Sequence, residues 1–415
     1  MYQQQYFSDN SMTDLFELSN QRIRSAPAGL HRFLYHAINW EGRLTEIYGP
    51  RGVGKTTMML QKAGVVNQVS PNQALYISLD DILFFSSTLV ETADLFSRFG
   101  GKYLFIDEVH KYPPKFRDHD WSAEIKNIYD RYPALHIIYS GSSILKLHNG
   151  KGDLSRRRQV YHLPGLSFRE FLLFTRRAEF QPVTLEEILS EHVRRSQDIT
   201  SQTNIVPAFL EYLAHGYYPF FDEAPDMYFT RLQDIITVIL ESDIPAVTDI
   251  PFDTTIKLKK LLAIVAGSAP YTINLARSGQ ALNITDQRTL LKYLHYLDKA
   301  ELIAMLSREA SGNQLLRKPE KIYLDNTNLM HCFALKPDQG TVRETFFHNQ
   351  IRIFHNPVKS ETADFLVDKK WTFEVGGRNK KGKQIENQQN AFRALDGIET
   401  GYGNVIPLWI FGFLY

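Results

Sequence analysis

The feature that most constrains the fold of this chain is the segment IYGPRGVGKTTMML, residues 47–60. It fits the pattern G-x-x-x-x-G-K-[ST], with an apolar, strand-like run before it and a run of helical character after it. In such a loop the glycines let successive backbone N–H groups point at phosphate oxygens, and the first turn of the following helix adds the positive end of its dipole. The segment therefore predicts a nucleotide-phosphate loop between a strand and a helix.

The loop predicts a role for each of its side chains. Lys55 should reach the β- and γ-phosphates of ATP, and the Thr56 hydroxyl should ligate Mg²⁺. Pro50 should stiffen the loop, whereas Arg51 is either a further nucleotide contact or a bystander. The residues predicted to contact the nucleotide are Gly49, Pro50, Arg51, Gly52, Val53, Gly54, Lys55, Thr56 and Thr57.

A second segment, KYLFIDEVHKY, completes the predicted site. Its apolar and aromatic residues lead into Asp107 and Glu108, so a buried strand would deliver both carboxylates to the carboxyl edge of the sheet, beside the loop. We expect Asp107 to hold Mg²⁺ through water and Glu108 to orient and deprotonate the attacking water. Ser140, at the end of the next predicted strand, would touch the γ-phosphate or that water, or would have only a structural role.

Three consecutive arginines, Arg156, Arg157 and Arg158, follow in the segment DLSRRRQVYHLPGLSFREFL. One of them, with Arg156 as the first candidate, would act in cis or in trans as an arginine finger that stabilises transition-state charge. The alternative is a solvated basic turn before a strand.

The distribution of apolar runs predicts an α/β fold in the first half of the chain. Short β-rich runs alternate there with runs of helical length, which is typical of a parallel sheet covered on both faces. The predicted strands are 44–48, 74–79, 102–107, 135–141 and 160–165, and the predicted helices are 54–66, 89–99 and 121–132. Residues 166–305 are mostly helical in pattern, with a polar surface loop at 195–204. From about residue 320 short strands surround one helix, and the apolar closing run is predicted to be a buried terminal strand.

Composition excludes several other classes of protein. The 47 Lys and Arg residues nearly balance the 46 Asp and Glu residues, so contact with nucleic acid would need a local basic patch. The single cysteine, Cys332, excludes a disulfide framework and a cysteine-rich zinc site. No apolar run is long enough to span a bilayer and the first residues do not form a secretory signal, so we expect a cytoplasmic protein without a membrane partner.

These motifs together resemble a family of prokaryotic AAA-type ATPases. The segments that carry the resemblance are GPRGVGKTT, LFIDEVHK, YSGSSILKL, DLSRRRQVYHLPGLSFREFL and FLEYLAHGYYPFF. In that family the ATPase domain is followed by a domain of uncharacterised function with an endonuclease-like C-terminal portion. The resemblance implies ATP as the nucleotide, and it implies three domains. These are an AAA-type P-loop ATPase domain at 1–205, a helical and winged-helix domain at 206–318, and a restriction-endonuclease-like domain, degenerate in its catalytic lysine, at 319–415.

The middle of the chain carries a helix–turn–helix pattern followed by strand-like runs. Leu290, Leu291, Leu294 and Leu297 form one apolar face of a helix. A hairpin around residues 308–314 would be the wing. The predicted recognition helix exposes Arg288 and Lys292, which could contact the phosphates or bases of double-stranded DNA. The alternative is a lid or a protein-docking module.

The C-terminal segment resembles the restriction-endonuclease core. Glu344, Asp364 and Glu374 match its carboxylates and would form a second Mg²⁺ site. Gly376, however, stands where the family has its catalytic lysine. Substitutes would come from the next turn or helix, and they are Lys380, Lys381, Lys383, Gln384 and Gln388. Both an active nuclease and a fold retained for binding or docking are consistent with this pattern.

The sequence thus favours Mg²⁺-dependent ATP hydrolysis coupled to remodelling of DNA or of a partner protein. An ATP-gated, metal-dependent DNA endonuclease is one alternative. A nucleotide-dependent switch or scaffold with slow turnover is another, although Glu108 argues against it. The sequence also leaves open a homo-oligomer or a protein partner.

Overall fold

The structure is a computed structural model that describes residues 9–113, 120–144, 153–248, 250–268, 270, 279–308, 318–334, 336–382, 385–386 and 388–415. The chain divides into two compact units, one of residues 1–164 with 246–249 and the other of residues 165–245 with 250–415. Residues 165–205 therefore belong to the second unit. The predicted division at 205 and 318 stays a prediction.

The first unit is built on a sheet of five parallel strands. The strands are β1 (Leu44–Gly49), β2 (Ala74–Ser78), β3 (Tyr103–Asp107), β4 (His136–Ser142) and β5 (Gln159–His162). Their order across the sheet is β2-β3-β4-β1-β5, so β4 lies between the strand that enters the phosphate loop and the strand that ends in Asp107. The predicted parallel α/β sheet is confirmed, with strand ends within three residues of those expected.

Five helices belong to the described part of this unit. They are α1 (Asp9–Ser25), α2 (Phe33–Ala37), α3 (Lys55–Val69), α4 (Leu89–Arg98) and α5 (Trp121–Arg131). The last three confirm the predicted helices. Thr88 begins α4 with a capping box, because its hydroxyl accepts from the Glu91 N–H while the Glu91 carboxylate accepts from the Thr88 N–H. Asp120 caps α5 by accepting from the Ala123 N–H.

A buried carboxylate on β1 explains the arginine-rich turn. Glu46, which pairs across the sheet with Tyr139 of β4, is only 5% exposed. Its Oε2 accepts hydrogen bonds of 2.6 Å from the Tyr139 hydroxyl and of 2.6 Å from Arg158. Arg157 lies 3.4 Å from Asp130. Arg158 therefore neutralises a buried charge of the sheet, whereas the side chain of Arg156 is exposed.

The second unit begins with a helical region, as predicted. Its first helices are α6 (Phe168–Phe174), α7 (Leu185–Thr200), α8 (Ile205–His215), α9 (Tyr228–Val238), α10 (Ile244–Thr248, which ends in the first unit) and α11 (Phe252–Ala266). The loop predicted at 195–204 is wrong for residues 195–200, which continue α7. The buried face of this part of the helix is formed by His192, Ser196 and Ile199. Because two of these three residues are polar, the apolar periodicity of a helix is weak there.

The remainder of the unit contains a hairpin, three helices and a mixed sheet. These elements are α12 (Gln287–Lys299), β6 (Ile303–Leu306), β7 (Lys321–Leu324), α13 (Thr327–Phe333), α14 (Gln339–Ile351), β8 (Pro357–Lys359), β9 (Phe365–Val367), β10 (Trp371–Gly377), β11 (Ala391–Asp396) and β12 (Val405–Pro407). Strands β8 to β10 are antiparallel, and β10, β11 and β12 are parallel. Two helices, α13 and α14, stand where one was predicted.

The apolar closing run is buried, as predicted, but it is only briefly a strand. After β12 the chain forms a 3₁₀ helix at Leu408–Phe413. Pro407 has no backbone N–H to donate to a neighbouring strand, which accounts for the end of the pairing. Among the helices that the structure describes, none has both the length and the apolar character needed to cross a membrane.

Replacing Arg158 with Met is expected to lower the free energy of unfolding by about 1–3 kcal/mol, because the Glu46 carboxylate would stay buried without a cationic partner. Urea unfolding of the two proteins measures this difference. The matched control is Arg156→Met, an exposed site at which a change within about 0.5 kcal/mol is expected. Glu46→Gln in the Arg158→Met background should recover part of the loss, and equal stability of wild type and Arg158→Met would contradict the structural role.

Candidate nucleotide-binding site

The phosphate loop has the backbone that its sequence predicts. Gly52 and Gly54 adopt positive φ angles of 85° and 94°, which glycine reaches without strain, and α3 begins at the next residue, Lys55. Gly49 is required by space, because a Cβ at this position would lie 2.0 Å from the main-chain oxygen of Leu163. The backbone N–H groups of the loop and the N-terminus of α3 together form a site suited to an anion.

The side chain of Lys55 lies within the loop. Its Nζ donates hydrogen bonds of 2.8 Å to the carbonyl oxygens of both Gly49 and Pro50, and the residue is only 6% exposed. A compact ammonium held on two carbonyls can be transferred to phosphate oxygens, which are stronger acceptors because they are charged. Its position is therefore that of a phosphate ligand.

Asp107 is the centre of a buried hydrogen-bond network at the end of β3. Its Oδ2 accepts from the Thr56 hydroxyl at 2.6 Å and from the Tyr76 hydroxyl at 2.8 Å. Its Oδ1 accepts from the Ser140 hydroxyl and from the Glu108 N–H. Burial and the nearby Asp107 carboxylate raise the pKa of Tyr76, so this phenol stays protonated and remains a donor.

Glu108 follows Asp107 in a left-handed backbone conformation, with φ 53°. Such a conformation is uncommon for a residue with a Cβ, and it often marks a functional position. One carboxylate oxygen, Oε2, lies 3.4 Å from the Arg51 guanidinium and 3.4 Å from the Nε2 of His110. Arg51 thus joins the phosphate loop to this carboxylate, and its contact with the nucleotide stays a prediction.

Oxygen ligands for a cation are present beside the loop. The Thr56 hydroxyl and the Asp107 carboxylate are in direct contact, and both are hard donors of the kind that Mg²⁺ prefers. Their chemistry fits Mg²⁺, with Asp107 carrying the only charge of the pair.

Sequence reasoning missed three residues of this site. Arg32 is 4% exposed and donates through its two terminal nitrogens to the carbonyl oxygens of Val53 and Pro164, which fixes the loop from a distant part of the chain. Tyr76 lies in an apolar strand, so its sequence context predicts only a core residue. His110 follows Asp107 and Glu108 but belongs to no recognisable motif. Only the register of β2 on β3 places the Tyr76 hydroxyl at Asp107.

The structure brings most of the predicted catalytic residues together, but it does not bring Arg156 to them. Thr56 and Ser140 contact Asp107 directly, and Glu108 is its chain neighbour. Arg156 is exposed on the turn before β5. Its role as an arginine finger stays a prediction.

The three carboxylates predicted for a second metal site are joined through lysines. Glu344 accepts from Lys321 at 2.7 Å and from the Tyr323 hydroxyl at 2.6 Å. Asp364 and Glu374 both contact Lys380. Within the described residues, no group of three His, Cys, Asp or Glu side chains is arranged to hold a metal. Lys383 and Gln384 lie outside the described residues, and Gln388 accepts a hydrogen bond from Thr362.

The predicted DNA-contacting helix is α12. Arg288 and Lys292 are exposed on it, while the four leucines of the opposite face are buried. Asp286, which is also exposed, is the N-cap of α12, because its carboxylate accepts from the Arg288 N–H and the Thr289 hydroxyl. Strands β6 and β7 are antiparallel. Of residues 308–314, which were predicted to form the wing, 309–314 lie outside the described residues.

Comparison with protein families identifies two regions. Residues 41–172 match the family described as an AAA domain, and residues 206–339 match a domain of unknown function (DUF8612). The first match contains Lys55, Asp107 and Glu108, and together with the five-stranded parallel sheet it supports an α/β P-loop domain in this part of the chain. No curated protein matches the chain.

Several solved structures have weak similarity to the chain. The Walker-type ATPase PABY2304 of Pyrococcus abyssi is 13% identical, with a TM-score of 0.39, 80% of this chain covered and 97% of that one. The RuvB Holliday junction branch migration motor of Thermotoga maritima is 14% identical, with a TM-score of 0.26 and coverage of 72% and 90%. The Orc1 protein of Aeropyrum pernix in complex with DNA is 10% identical, with a TM-score of 0.31 and coverage of 78% and 91%. These similarities are too low to indicate a shared activity.

Replacing Lys55 with Met should weaken ATP binding about tenfold or more, since the charge-assisted bonds to phosphate would be lost. Fluorescence anisotropy of a labelled ATP analogue measures the affinity. Lys102→Met removes an equal charge from an exposed position of the same unit and should leave the affinity unchanged. Equal affinities of wild type and Lys55→Met would rule out this lysine as a phosphate ligand.

Proposed function

We propose that this protein is a cytoplasmic, Mg²⁺-dependent ATPase. One observation carries the proposal: at the mouth of a phosphate loop, the Thr56 hydroxyl meets the Asp107 carboxylate at 2.6 Å, with Glu108 as the next residue. One edge of the parallel sheet thus carries two oxygen ligands for a cation, the ammonium within the loop and a second carboxylate. This is the set of groups that hydrolysis of a nucleoside triphosphate requires.

Each residue has a distinct task in this reaction. Lys55 and the loop N–H groups bind the β- and γ-phosphates, and Thr56 with Asp107 would hold Mg²⁺, which supplies neutralisation of phosphate charge when bound. Glu108 orients a water molecule and accepts its proton. Ser140 and Tyr76 hold the Asp107 carboxylate in place and act as positioning residues.

The ion pair between Arg51 and Glu108 connects binding with hydrolysis. Because Arg51 belongs to the loop, phosphate oxygens entering the loop compete with Glu108 for its guanidinium. Release of the carboxylate would then make it available to water only when nucleotide is bound. Arg156, exposed on its turn, would act on the nucleotide of a second copy of the chain if the protein forms an oligomer.

Glu108→Gln should lower the rate of ATP hydrolysis about 100-fold or more while ATP still binds, because the amide cannot accept the proton. Phosphate release measures the rate, and anisotropy of a labelled ATP analogue measures binding. Glu17→Gln, which makes the same chemical change at an exposed position, is the control and should match wild type.

Two results would contradict the assignment. Hydrolysis by Glu108→Gln at the wild-type rate would remove Glu108 from the mechanism. Tight ATP binding without measurable turnover in wild type would favour the nucleotide-dependent switch over the ATPase.

We also propose that ATP hydrolysis is coupled to double-stranded DNA through α12. The support is local: Arg288 and Lys292 are one helical turn apart and both exposed, while their helix buries its leucines on the other side. A net charge of +1 for the whole chain means that any contact with DNA would depend on such a patch.

The double variant Arg288→Ala/Lys292→Ala should weaken DNA binding and reduce the slope of log K against log salt by about 2, because two phosphate contacts would be lost. Binding of a labelled duplex at several salt concentrations measures the slope. Arg194→Ala/Lys336→Ala removes the same charge from exposed positions of the same unit and should leave the slope unchanged. An unchanged slope in the first variant would exclude α12 as the contact.

Cleavage of DNA by the second unit is a second candidate function. A specific observation favours it: Lys380 contacts both Asp364 and Glu374, although the strand position expected for a lysine is Gly376. In such a reaction Lys380, on the following turn, would supply the ammonium that the strand lacks.

A further inference from the structure

The Glu108 carboxylate is shared between two donors. Its Oε2 atom lies 3.4 Å from the Arg51 guanidinium and 3.4 Å from Nε2 of the His110 imidazole. Both distances are longer than the roughly 2.7–2.9 Å of a strong charge-assisted hydrogen bond. One oxygen atom therefore lies between two groups that can each bind it more closely, and it is committed to neither of them.

The two donors differ in how they respond to a nucleotide. Arg51 belongs to the phosphate loop and its side chain is 31% exposed, so entering phosphate oxygens can draw it away. The side chain of His110 is 0% exposed, and it belongs to a 3₁₀ turn at Val109–Lys111, outside the loop. Binding of phosphate can thus remove one donor from Glu108 while the other stays in place.

The turn that carries His110 is closed by its own backbone. The Lys111 N–H donates a hydrogen bond of 2.8 Å to the Glu108 main-chain oxygen. The Tyr112 N–H donates a hydrogen bond of 3.2 Å to the Val109 main-chain oxygen. Imidazole and carboxylate are therefore two residues apart on one hydrogen-bonded segment.

A buried carboxylate anchors the far end of this turn. Glu124 of α5 is 5% exposed, and its Oε1 accepts a hydrogen bond of 2.8 Å from the Tyr112 hydroxyl. Its Oε2 accepts from the N–H groups of Leu89 and Val90, in the first turn of α4, at 2.8 Å and 3.2 Å. Because the turn is joined to two helices that do not belong to the phosphate loop, the position of His110 does not depend on whether the loop is occupied.

We infer that His110 is a positioning residue that takes over the Glu108 carboxylate when nucleotide draws Arg51 away. The inference rests on the proposed ATPase function and concerns the regulation of its general base. In the empty site, Arg51 and His110 share Oε2. In the occupied site, the Nε2–H of His110 alone donates to Oε2, which leaves Oε1 for the attacking water. Arg51 thus determines when Glu108 acts, and His110 determines how the carboxylate is oriented.

His110→Leu removes the donor and keeps a side chain of similar size at the buried position. We expect kcat for ATP hydrolysis to fall about tenfold or more, since a hydrogen bond to a charged group is lost, while the affinity for a labelled ATP analogue stays as in wild type. Phosphate release measures kcat, and fluorescence anisotropy measures the affinity. His36→Leu, which removes an exposed imidazole of the same unit, is the matched control and should behave as wild type.

Two amide variants separate hydrogen bonding from packing. The amide nitrogen of glutamine lies two bonds beyond Cγ, as Nε2 of histidine does, whereas that of asparagine lies one bond beyond Cγ, as Nδ1 does. His110→Gln should therefore keep most of the wild-type kcat, and His110→Asn should lose as much as His110→Leu. Circular dichroism confirms the folding of each variant, and the two amide variants decide the question if His110→Leu does not fold.

The Glu108→Gln background tests whether His110 acts through Glu108. With enzyme in excess over ATP, adding His110→Leu should cause no further loss of rate, because the group that it positions is already absent. Three results would each overturn the inference and leave His110 as a core residue. They are a wild-type kcat in folded His110→Leu, equal kcat values in His110→Gln and His110→Asn, and the same fold-loss on top of Glu108→Gln.

Failure of the proposed function is distinguishable from these results. Absence of turnover in wild type, or hydrolysis by Glu108→Gln at the wild-type rate, would overturn the ATPase mechanism and this inference together. The three results on His110 overturn the inference alone, since wild type then hydrolyses ATP and still requires Glu108.

Discussion

The first unit depends on the hydrogen bonds that converge on the Asp107 carboxylate. Thr56 reaches it from the first turn of α3, Tyr76 from β2 and Ser140 from β4, while Asp107 itself ends β3. A buried carboxylate is tolerated only when such donors surround it, so the loop helix and three strands must keep their mutual positions. The same contacts therefore stabilise the edge of the sheet and set the distance between the phosphate loop and Glu108.

The kind of donor distinguishes the buried carboxylates of this protein. Glu46 is paired with Arg158, which cancels its charge. Asp107 accepts from hydroxyls and a backbone N–H, which satisfy its lone pairs without contributing a positive charge. A carboxylate of the first kind belongs to the scaffold, whereas one of the second kind retains an attraction for a cation. Asp364, in contact with Lys380, has a compensating charge that comes from the turn after β10.

The sequence was most informative where one local pattern determines both structure and chemistry. The phosphate loop needs its glycines, and a strand that ends in Asp107 needs apolar residues before it, so both were visible without the fold. Arg32 and Tyr76 were not, because their partners lie in other elements and are chosen by tertiary register. The end of α7 was misread since its buried positions include His192 and Ser196, which carry no apolar signal. The packing of the Lys380 stem over Gly376 also depends on the fold and has no signal in the sequence.

The hydroxyl of Thr56 makes cation binding at Asp107 an exchange reaction. A metal ion that takes up both oxygens must break an existing 2.6 Å hydrogen bond and turn the Thr56 proton toward another acceptor. The affinity of the site for the metal ion is therefore reduced by the free energy of the hydrogen bond that is lost. It is smaller than the two oxygen ligands alone would give. Phosphate oxygens shift that difference by adding ligands of their own. The cation should accordingly enter as part of a metal–nucleotide complex, so that the concentration of the complex, and not that of the free ion, sets the occupancy of the site.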